Sequence, residues 1–167
     1  MTTFQFDENN ECKSYIKHCN KEGLAAAKRF PRRHKNKQFS DPEMLNLCLS
    51  LGGVLVTFDH HMIDDHEPYI PEKSPGIIII QHSRKIPYTM TQKSAERIIA
   101  QFKKTIADWH QVPFENSIVR ITDESITIGR KLADGVTYDC HKELTEPNCG
   151  KEIREHLASN AADKQNG

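Results

Sequence analysis

The segment Gly53-Val54-Leu55-Val56-Thr57-Phe58-Asp59 is the clearest indication of the fold class, because an unbroken apolar and β-branched run leads to an acidic residue. A strand that is apolar at every position is expected to be covered on both faces, as the strands of a parallel sheet are. The segment Ile77 to Ile80, introduced by Pro75-Gly76, has the same character. The sequence therefore predicts two buried strands of a parallel sheet.

Helical patterns alternate with strand patterns along the chain. A strand is predicted at Thr2 to Phe6, and apolar residues at helical spacing follow it at positions 12–19. Asp41 and Pro42 are typical of the cap and first turn of a helix. The segment from Ser94 to Trp109 places its apolar residues on one helical face. This alternation predicts an α/β fold with a central, mostly parallel sheet.

The carboxyl-terminal part of the chain has a different pattern. Residues 117–121 and 125–128 alternate between apolar and polar positions around a short turn, which predicts a C-terminal antiparallel hairpin. From position 158 onward the chain has too little apolar surface to offset the entropy of ordering it. We therefore expect a single domain at residues 1–131, an extension packed on it at 132–157, and a disordered tail at 158–167.

Composition argues against several classes of protein. The chain has 23 Lys plus Arg and 23 Asp plus Glu, so no net charge directs it to nucleic acid or membrane. Its longest aliphatic run, Ile77 to Ile80, is far short of the roughly 20 residues that span a bilayer, and the amino terminus has no charged-then-apolar leader. Five Cys residues without a C-x-x-C pair are expected to be reduced thiols. These features predict a cytoplasmic protein with no membrane partner.

Acidic residues follow the predicted strands at the edge of the sheet where ligands collect. Asp7 and Asp59 each come just after a strand, and Asp41, at a helix start, could reach the same crevice. Three converging carboxylates imply a bound divalent cation, because they otherwise repel one another, and hard oxygen ligands favour Mg²⁺ or Mn²⁺. The alternative is structural, since aspartate is also a common turn former and helix cap.

Four segments, taken in order, resemble the motifs of a known family. Phe4 to Asn9 is similar to the (hydrophobic)-x-x-D-E-N opening of the PIN-like proteins, relatives of the PIN-domain ribonucleases. Ser40 to Leu45 is similar to that family's S-D-x-E-I-L helix start, and Gly53 to Asp59 to its G-x-V-L-V-T-x-D strand. Pro75 to Ile79 resembles the P-G-hydrophobic segment that follows. The similarity covers residues 3 to about 130.

This resemblance implies a three-layer PIN-like fold and a metal-dependent ribonuclease. Asp7, Asp41 and Asp59 match the family's catalytic metal-site positions for Mg²⁺ or Mn²⁺, with Glu8 and Glu43 beside them. The implied substrate is single-stranded RNA. The resemblance extends to toxins that are paired with a small antitoxin protein, which is the implied protein partner.

The chain departs from the family at one position of this site. The family commonly continues D-x-D-F, whereas this chain reads Asp59-His60-His61-Met62, so His61 takes the place of a second aspartate at the metal. Imidazole suits transition ions better than Mg²⁺, and this favours an alternative in which a catalytically lapsed module binds RNA or a partner protein. A second alternative is a zinc hydrolase that uses His60, His61 and His66.

A basic segment lies just before the Asp41 helix. Residues 28–37 carry six basic side chains and no acidic one, and Phe30 is available to stack on a base. Clustered basic side chains bind phosphates, although a basic loop is also common as a solvated surface or as the contact for an acidic partner. The predicted RNA-binding residues are Arg29, Arg32, Arg33 and Lys35.

Overall fold

A computed structural model describes residues 4–6, 27–29, 42, 46, 52–57, 61–83, 92–105 and 111–163 of the chain. Within these residues, seven strands form one mixed sheet in the order β2-β1-β3-β4-β5-β6-β7. The strands are β1 (Phe4–Phe6), β2 (Ala27–Arg29), β3 (Val54–Thr57), β4 (Ile77–Ile80), β5 (Ile118–Ile121), β6 (Ser125–Leu132) and β7 (Gly135–Glu143).

Helices lie between and after these strands. Helix α1 (His61–His66) runs directly into a 3-10 turn at Glu67–Tyr69, α2 spans Gln92–Thr105, and α3 spans Cys149–Ala162. Pro42 and Asn46, from the segment where a helix start was predicted, are both helical. The helix predicted at 12–19 and the last residues of the helix predicted to end at Trp109 lie outside the described residues.

The sheet confirms the predicted α/β class and its mixed strand directions. Strands β2, β1, β3, β4 and β5 are mutually parallel, and β6 and β7 are antiparallel to their neighbours. The two apolar runs that predict buried strands form β3 and β4, and every residue of both is buried. They lie in the middle of the sheet, where apolar side chains are covered on both faces.

One face of the sheet forms the main apolar core. Alternate residues of β1, β3, β4, β5 and β6 point to this face, and they pack with one side of α3 and with Ile98 of α2. The buried residues of this cluster are Phe4, Val54, Val56, Ile78, Ile80, Ile98, Val112, Phe114, Val119, Ile121, Ile126, Ile128, Cys149, Ile153 and Leu157.

The predicted hairpin is present and is longer than the pattern indicated. Strands β5 and β6 pair antiparallel from Ile118 opposite Gly129 to Ile121 opposite Ile126. The hydroxyl of Thr122 accepts hydrogen bonds from the backbone N–H groups of Glu124 and Ser125, at 3.1 and 2.9 Å, which closes the turn. Strand β6 then continues to Leu132 and pairs with β7. The boundary predicted at 131/132 therefore falls inside a strand.

Helix α3 continues into the segment that was predicted to be a disordered tail. It ends at Ala162, and Leu157 and Asn160 are buried. The Asn160 amide donates to Ser117 Oγ at 3.0 Å, and the Asn116 amide donates to the Asn160 carbonyl oxygen at 3.1 Å. The structure differs from the predicted tail because the apolar side of α3 and these two buried hydrogen bonds hold the helix on the sheet. Its polar mean composition hides this apolar side. Residues 164–167 lie outside the described part of the chain.

Candidate functional site

Two of the three predicted catalytic aspartates, Asp7 and Asp59, follow strands that lie side by side. Asp7, Asp41 and Asp59 themselves are outside the described residues. Strands β1 and β3 are adjacent and parallel, with Phe6 opposite Val56. Asp7 comes one residue after β1, and Asp59 two residues after β3. The two strands that lead to these aspartates therefore end at the same edge of the sheet.

The predicted RNA-binding segment starts at this same edge. Arg29 is the last residue of β2 and lies opposite Phe6 of β1, which runs parallel to it. Chain positions 30–37 therefore follow a strand that ends beside the one preceding Asp7. Arg32, Arg33 and Lys35 lie outside the described residues.

His61 is the first residue of α1 and is exposed. Among the residues that the structure describes, no three His, Cys, Asp or Glu side chains group closely enough to hold a metal ion. His61 and His66 therefore do not form such a site with described neighbours. His60, the other member of the zinc alternative, lies outside them.

A polar cluster that the sequence did not predict lies at the carboxyl ends of β4 and β5. Its centre is Arg120, the third residue of β5. The guanidinium donates hydrogen bonds through Nε to Tyr138 Oη at 2.9 Å, through Nη1 to Gln81 Oε1 at 3.3 Å, and through Nη2 to Asp64 Oδ1 at 3.1 Å. These partners come from β7, from the residue after β4 and from α1. We call Arg120, Gln81, Asp64 and Tyr138 the Arg120 cluster.

The strand pattern explains the position of Arg120. Val119 and Ile121 point to the main core, so Arg120 points to the opposite face. Its side chain is 16% exposed, whereas that of Asp64 is 62% exposed. The carboxylate therefore lies on the solvent side of a largely covered guanidinium. A charged residue inside an otherwise buried strand was the signal in the sequence, because such residues are almost always paired.

Tyr138 reaches Arg120 because of an irregularity in the sheet. The pairing of β6 with β7 shifts between Ile128, opposite Cys140, and Gly129, opposite Tyr138, which leaves Asp139 as an extra residue. Such bulges redirect side chains. A Cβ atom on Gly129 would lie 2.6 Å from a ring carbon of Tyr138, so the ring lies directly against this glycine.

Tyr138 remains 38% exposed as a whole. Partial burial of its phenol raises the pKa of that group above the ordinary value, although the hydrogen bond from Arg120 and its positive charge act in the opposite direction. The phenol is therefore uncharged at neutral pH, and its oxygen accepts a hydrogen bond from Arg120 Nε. The guanidinium carbon lies 5.2 Å from the ring centre, within the range of a cation–π contact.

Glu67 attaches the turn after α1 to the antiparallel strands. Its carboxylate accepts a hydrogen bond from the Val136 N–H at 2.8 Å, and its carbonyl oxygen accepts one from Lys131 Nζ at 2.8 Å. Together with the contact between Asp64 and Arg120, these bonds hold residues 61–69 against β5, β6 and β7. This segment begins two positions after Asp59.

A second polar row lies on the same face of the sheet and joins β6 to β7. Thr127 Oγ1 lies 2.7 Å from His141 Nδ1, and His141 Nε2 lies 3.1 Å from Glu143 Oε1. The residue types match those of a nucleophilic triad, but His141 and Glu143 are more than half exposed, which leaves the pair hydrated. Thr127 and His141 are register partners in adjacent strands. We interpret the row as a cross-strand polar contact.

Cys140 and Cys149, the cysteines that the structure describes, are both free thiols. Burial raises the pKa of each above its ordinary value. A thiol with a raised pKa is a weak nucleophile at neutral pH. Cys149 belongs to the apolar core and Cys140 packs against it, so both have a structural role.

No protein-family model, curated protein or solved structure matches this chain. Among the described residues, no helix combines the length and the apolar character needed to cross a membrane. Function is therefore inferred from the residues of the chain and from the arrangement of its strands.

Proposed function

We propose that this protein is a divalent-metal-dependent endoribonuclease of PIN-like type that cleaves single-stranded RNA. The observation that carries the proposal is the pairing of β1 with β3. These strands are parallel neighbours, with Phe6 opposite Val56, and they lead to Asp7 and Asp59 within two residues. In parallel sheets, ligands collect beyond the carboxyl ends of the strands. The mostly parallel sheet is also what a three-layer PIN-like fold requires.

The donor set suits a hard divalent cation. Asp7, Asp41 and Asp59 would hold Mg²⁺ or Mn²⁺ through carboxylate oxygens, which both ions prefer. A bound ion would polarise the scissile phosphate and lower the pKa of the attacking water. The carboxylates themselves orient the reacting groups, with Glu8 and Glu43 as neighbours in the sequence.

The arrangement of β2 supports RNA as the substrate. Arg29 ends this strand beside Phe6, so the basic segment leaves the sheet next to the strand that leads to Asp7. Clustered Arg and Lys side chains bind the phosphates of single strands. Arg32, Arg33 and Lys35 are the proposed further contacts. We also propose that the nuclease acts in the cytoplasm as the toxin of a pair with a small antitoxin protein.

The exposed imidazole of His61 favours one second candidate, a catalytically lapsed PIN-like module that binds RNA or a partner protein. His61 opens α1 two positions after Asp59, where the family has a second carboxylate. Titration calorimetry separates the two candidates. The nuclease binds Mn²⁺ at millimolar concentrations or below, and the lapsed module does not.

The direct test of the proposed function is cleavage of a labelled single-stranded RNA pool in Mg²⁺ or Mn²⁺. Asp7→Asn and Asp59→Asn are expected to lower the cleavage rate by at least about a hundredfold, because each removes one charged metal ligand. Asp163→Asn is the matched control. Asp163 is an exposed aspartate at the end of α3, paired with Arg130.

The control variant should cleave like the unsubstituted protein. A folded protein that cleaves none of the RNA pool in either metal would contradict the nuclease. Equal loss of activity in all three variants would show that the effect is not specific to the proposed site.

A further inference from the structure

We infer that Arg120, Gln81 and Tyr138 form a binding subsite for one nucleotide of a single-stranded RNA, in which Arg120 contacts the phosphate and the ring of Tyr138 stacks on the base. The choice of RNA as the ligand rests on the proposed function. The subsite itself is argued from the contacts, exposure and location of the Arg120 cluster.

The first argument is location. Ile79 of β4 lies opposite Arg120 of β5, and these parallel strands end one residue later. Gln81 follows β4 directly, and its N–H donates to the Ile121 carbonyl oxygen at 3.0 Å. Arg120 and Gln81 are therefore neighbours at the edge where β1 and β3 also end. A strand bound at the proposed metal site would lie along this edge.

The second argument is the way the guanidinium is held. Its three partners are side chains from three different parts of the chain, Asp64, Gln81 and Tyr138. Gln81 and Tyr138 are neutral and keep the planar group in one orientation. A fixed guanidinium plane matches the geometry of phosphate oxygens better than a flexible ammonium group does.

The third argument is the exposure of the one anionic partner. Asp64 is 62% exposed and covers an Arg120 side chain that is 16% exposed. An ion pair of this kind is weak, because water already solvates the carboxylate. A phosphate oxygen can replace the Asp64 carboxylate at Nη2 without further desolvation of Arg120. We therefore assign Asp64 as the group that occupies the phosphate position in the free protein.

The fourth argument is the tyrosine ring. Tyr138 lies against Gly129 and is one of two large apolar side chains that the described residues expose. The other is Tyr69, in the 3-10 turn that Glu67 attaches to β7. Exposed aromatic rings beside a positive group are typical of proteins that bind single strands, because every base can stack on them.

A purely structural role for Arg120 makes the opposite prediction for Asp64. If Arg120 only anchors α1, then Asp64→Asn loosens the anchor and gives no gain in RNA affinity. If Asp64 occupies the phosphate position, the same substitution removes a competing anion and strengthens RNA binding. The gain in affinity of Asp64→Asn, measured against that of Asp163→Asn, which also removes an exposed carboxylate paired with an arginine, distinguishes the two roles.

The experiment measures binding of a short fluorescent oligouridylate by anisotropy, at low salt and with EDTA present. Without metal there is no cleavage, so the measurement is independent of the nuclease activity. Arg120→Gln and Tyr138→Ala are each expected to weaken binding about tenfold, from loss of a phosphate contact or of a stacked base. Asp64→Asn is expected to strengthen binding about threefold, since it removes a weak competing ion pair.

The matched control is Arg130→Gln, because Arg130 is also an arginine of the sheet in an ion pair with an aspartate, Asp163. It is expected to bind like the unsubstituted protein, apart from the small loss that any surface charge causes. Arg120→Lys keeps the charge but not the planar group, and it should bind less tightly than the unsubstituted protein. Circular dichroism identifies any variant that fails to fold. If Arg120→Gln or Tyr138→Ala fails to fold, Asp64→Asn still tests the proposal, because Asp64 is at an exposed position.

Three results would overturn the subsite. They are weaker or unchanged binding in Asp64→Asn, equal binding by Arg120→Gln and Arg130→Gln, and displacement of the RNA by oligoglutamate as readily as by unlabelled RNA. The last result would assign the cluster to an acidic protein segment. If the protein binds RNA in the expected pattern but does not cleave it, the nuclease proposal is wrong and the subsite stands. If it cleaves RNA but the variants do not change binding as expected, the subsite is wrong and the nuclease proposal stands.

Discussion

At the scale of single residues, the polar contacts at the carboxyl edge depend on residues far apart in the chain. Arg120 contacts Asp64, Gln81 and Tyr138, which lie 56, 39 and 18 positions away. Asp123, in the turn between β5 and β6, accepts a hydrogen bond from the Ser83 N–H, which is 40 positions away. The same turn therefore holds the segment that follows β4.

The contact between Asp123 and Ser83 predicts a pH-dependent stability. Burial alone would raise the pKa of Asp123, but hydrogen bonds from the Ser83 side chain and backbone, together with the charge of His82, hold it below the ordinary value. A lowered pKa in the folded state stabilises the protein above the unfolded-state pKa of about 3.9, and this contribution is lost as the pH falls through the folded-state value.

We expect Asp123→Asn to lower the free energy of unfolding at pH 7 by no more than about 1 kcal/mol, because the group is exposed. The difference from the unsubstituted protein should shrink as the pH is lowered from 7 to about 3, because the unfolded-state aspartate is protonated as the pH falls through about 3.9 and the folded-state aspartate only at lower pH. Urea unfolding of both proteins at the two pH values measures the difference in the free energy of unfolding. A difference that grows as the pH falls would contradict the assignment.

At the scale of the elements, α3 shows how packing overrides composition. The helix has a polar sequence, yet Cys149, Ile153 and Leu157 lie in the main core, and Asn160 is buried at the next turn. These residues recur every three or four positions, which is the spacing of one helical face. This spacing extends through position 160, so the helix continues into the segment where a polar tail was predicted.

Leu157→Ala tests this packing. Leu157 is fully buried, so the substitution should lower the free energy of unfolding by about 2–5 kcal/mol through lost apolar burial and an unfilled cavity. Arg154→Ala, at an exposed position on the same helix, should change it by less than about 0.5 kcal/mol. Thermal unfolding followed by circular dichroism compares them. Equal effects would mean that α3 does not pack on the sheet.

At the scale of the whole molecule, one sheet joins the amino-terminal parallel strands to the antiparallel strands at its other end. Ile126 and Ile128 of β6 pack in the same core as Phe4 and Val54. Strand β7 covers the edge of β6, and α3 covers part of one face. A unit that ended at residue 131 would expose that edge and that face.

We therefore expect a chain truncated after Lys131 to aggregate or remain unfolded, because its unpaired β6 edge and apolar face are exposed. A chain truncated after Asp163 should fold like the full chain, since α3 and its buried contacts are retained. Size-exclusion chromatography with circular dichroism distinguishes the two. A folded, monomeric chain of residues 1–131 would support the predicted domain boundary instead.

The central strands and the hairpin follow from local patterns in the sequence. Val54 to Thr57 consists of apolar and β-branched residues, Ile77 to Ile80 is apolar at every position, and the segments around residues 122–124 alternate, so short-range patterns were sufficient. The three aspartates of the proposed metal site remain predictions from the sequence, and the parallel strands that precede Asp7 and Asp59 support two of them.

The order of the strands, the Arg120 cluster and the buried contacts at the end of α3 follow from long-range contacts instead. Each depends on contacts between residues distant in the chain, such as Arg120 with Asp64 or Asn160 with Ser117. Local patterns carry no information about such pairs, because strand order and register determine which side chains meet. A single bulge at Asp139, which places Tyr138 opposite Gly129, is enough to change the neighbours of a charged residue.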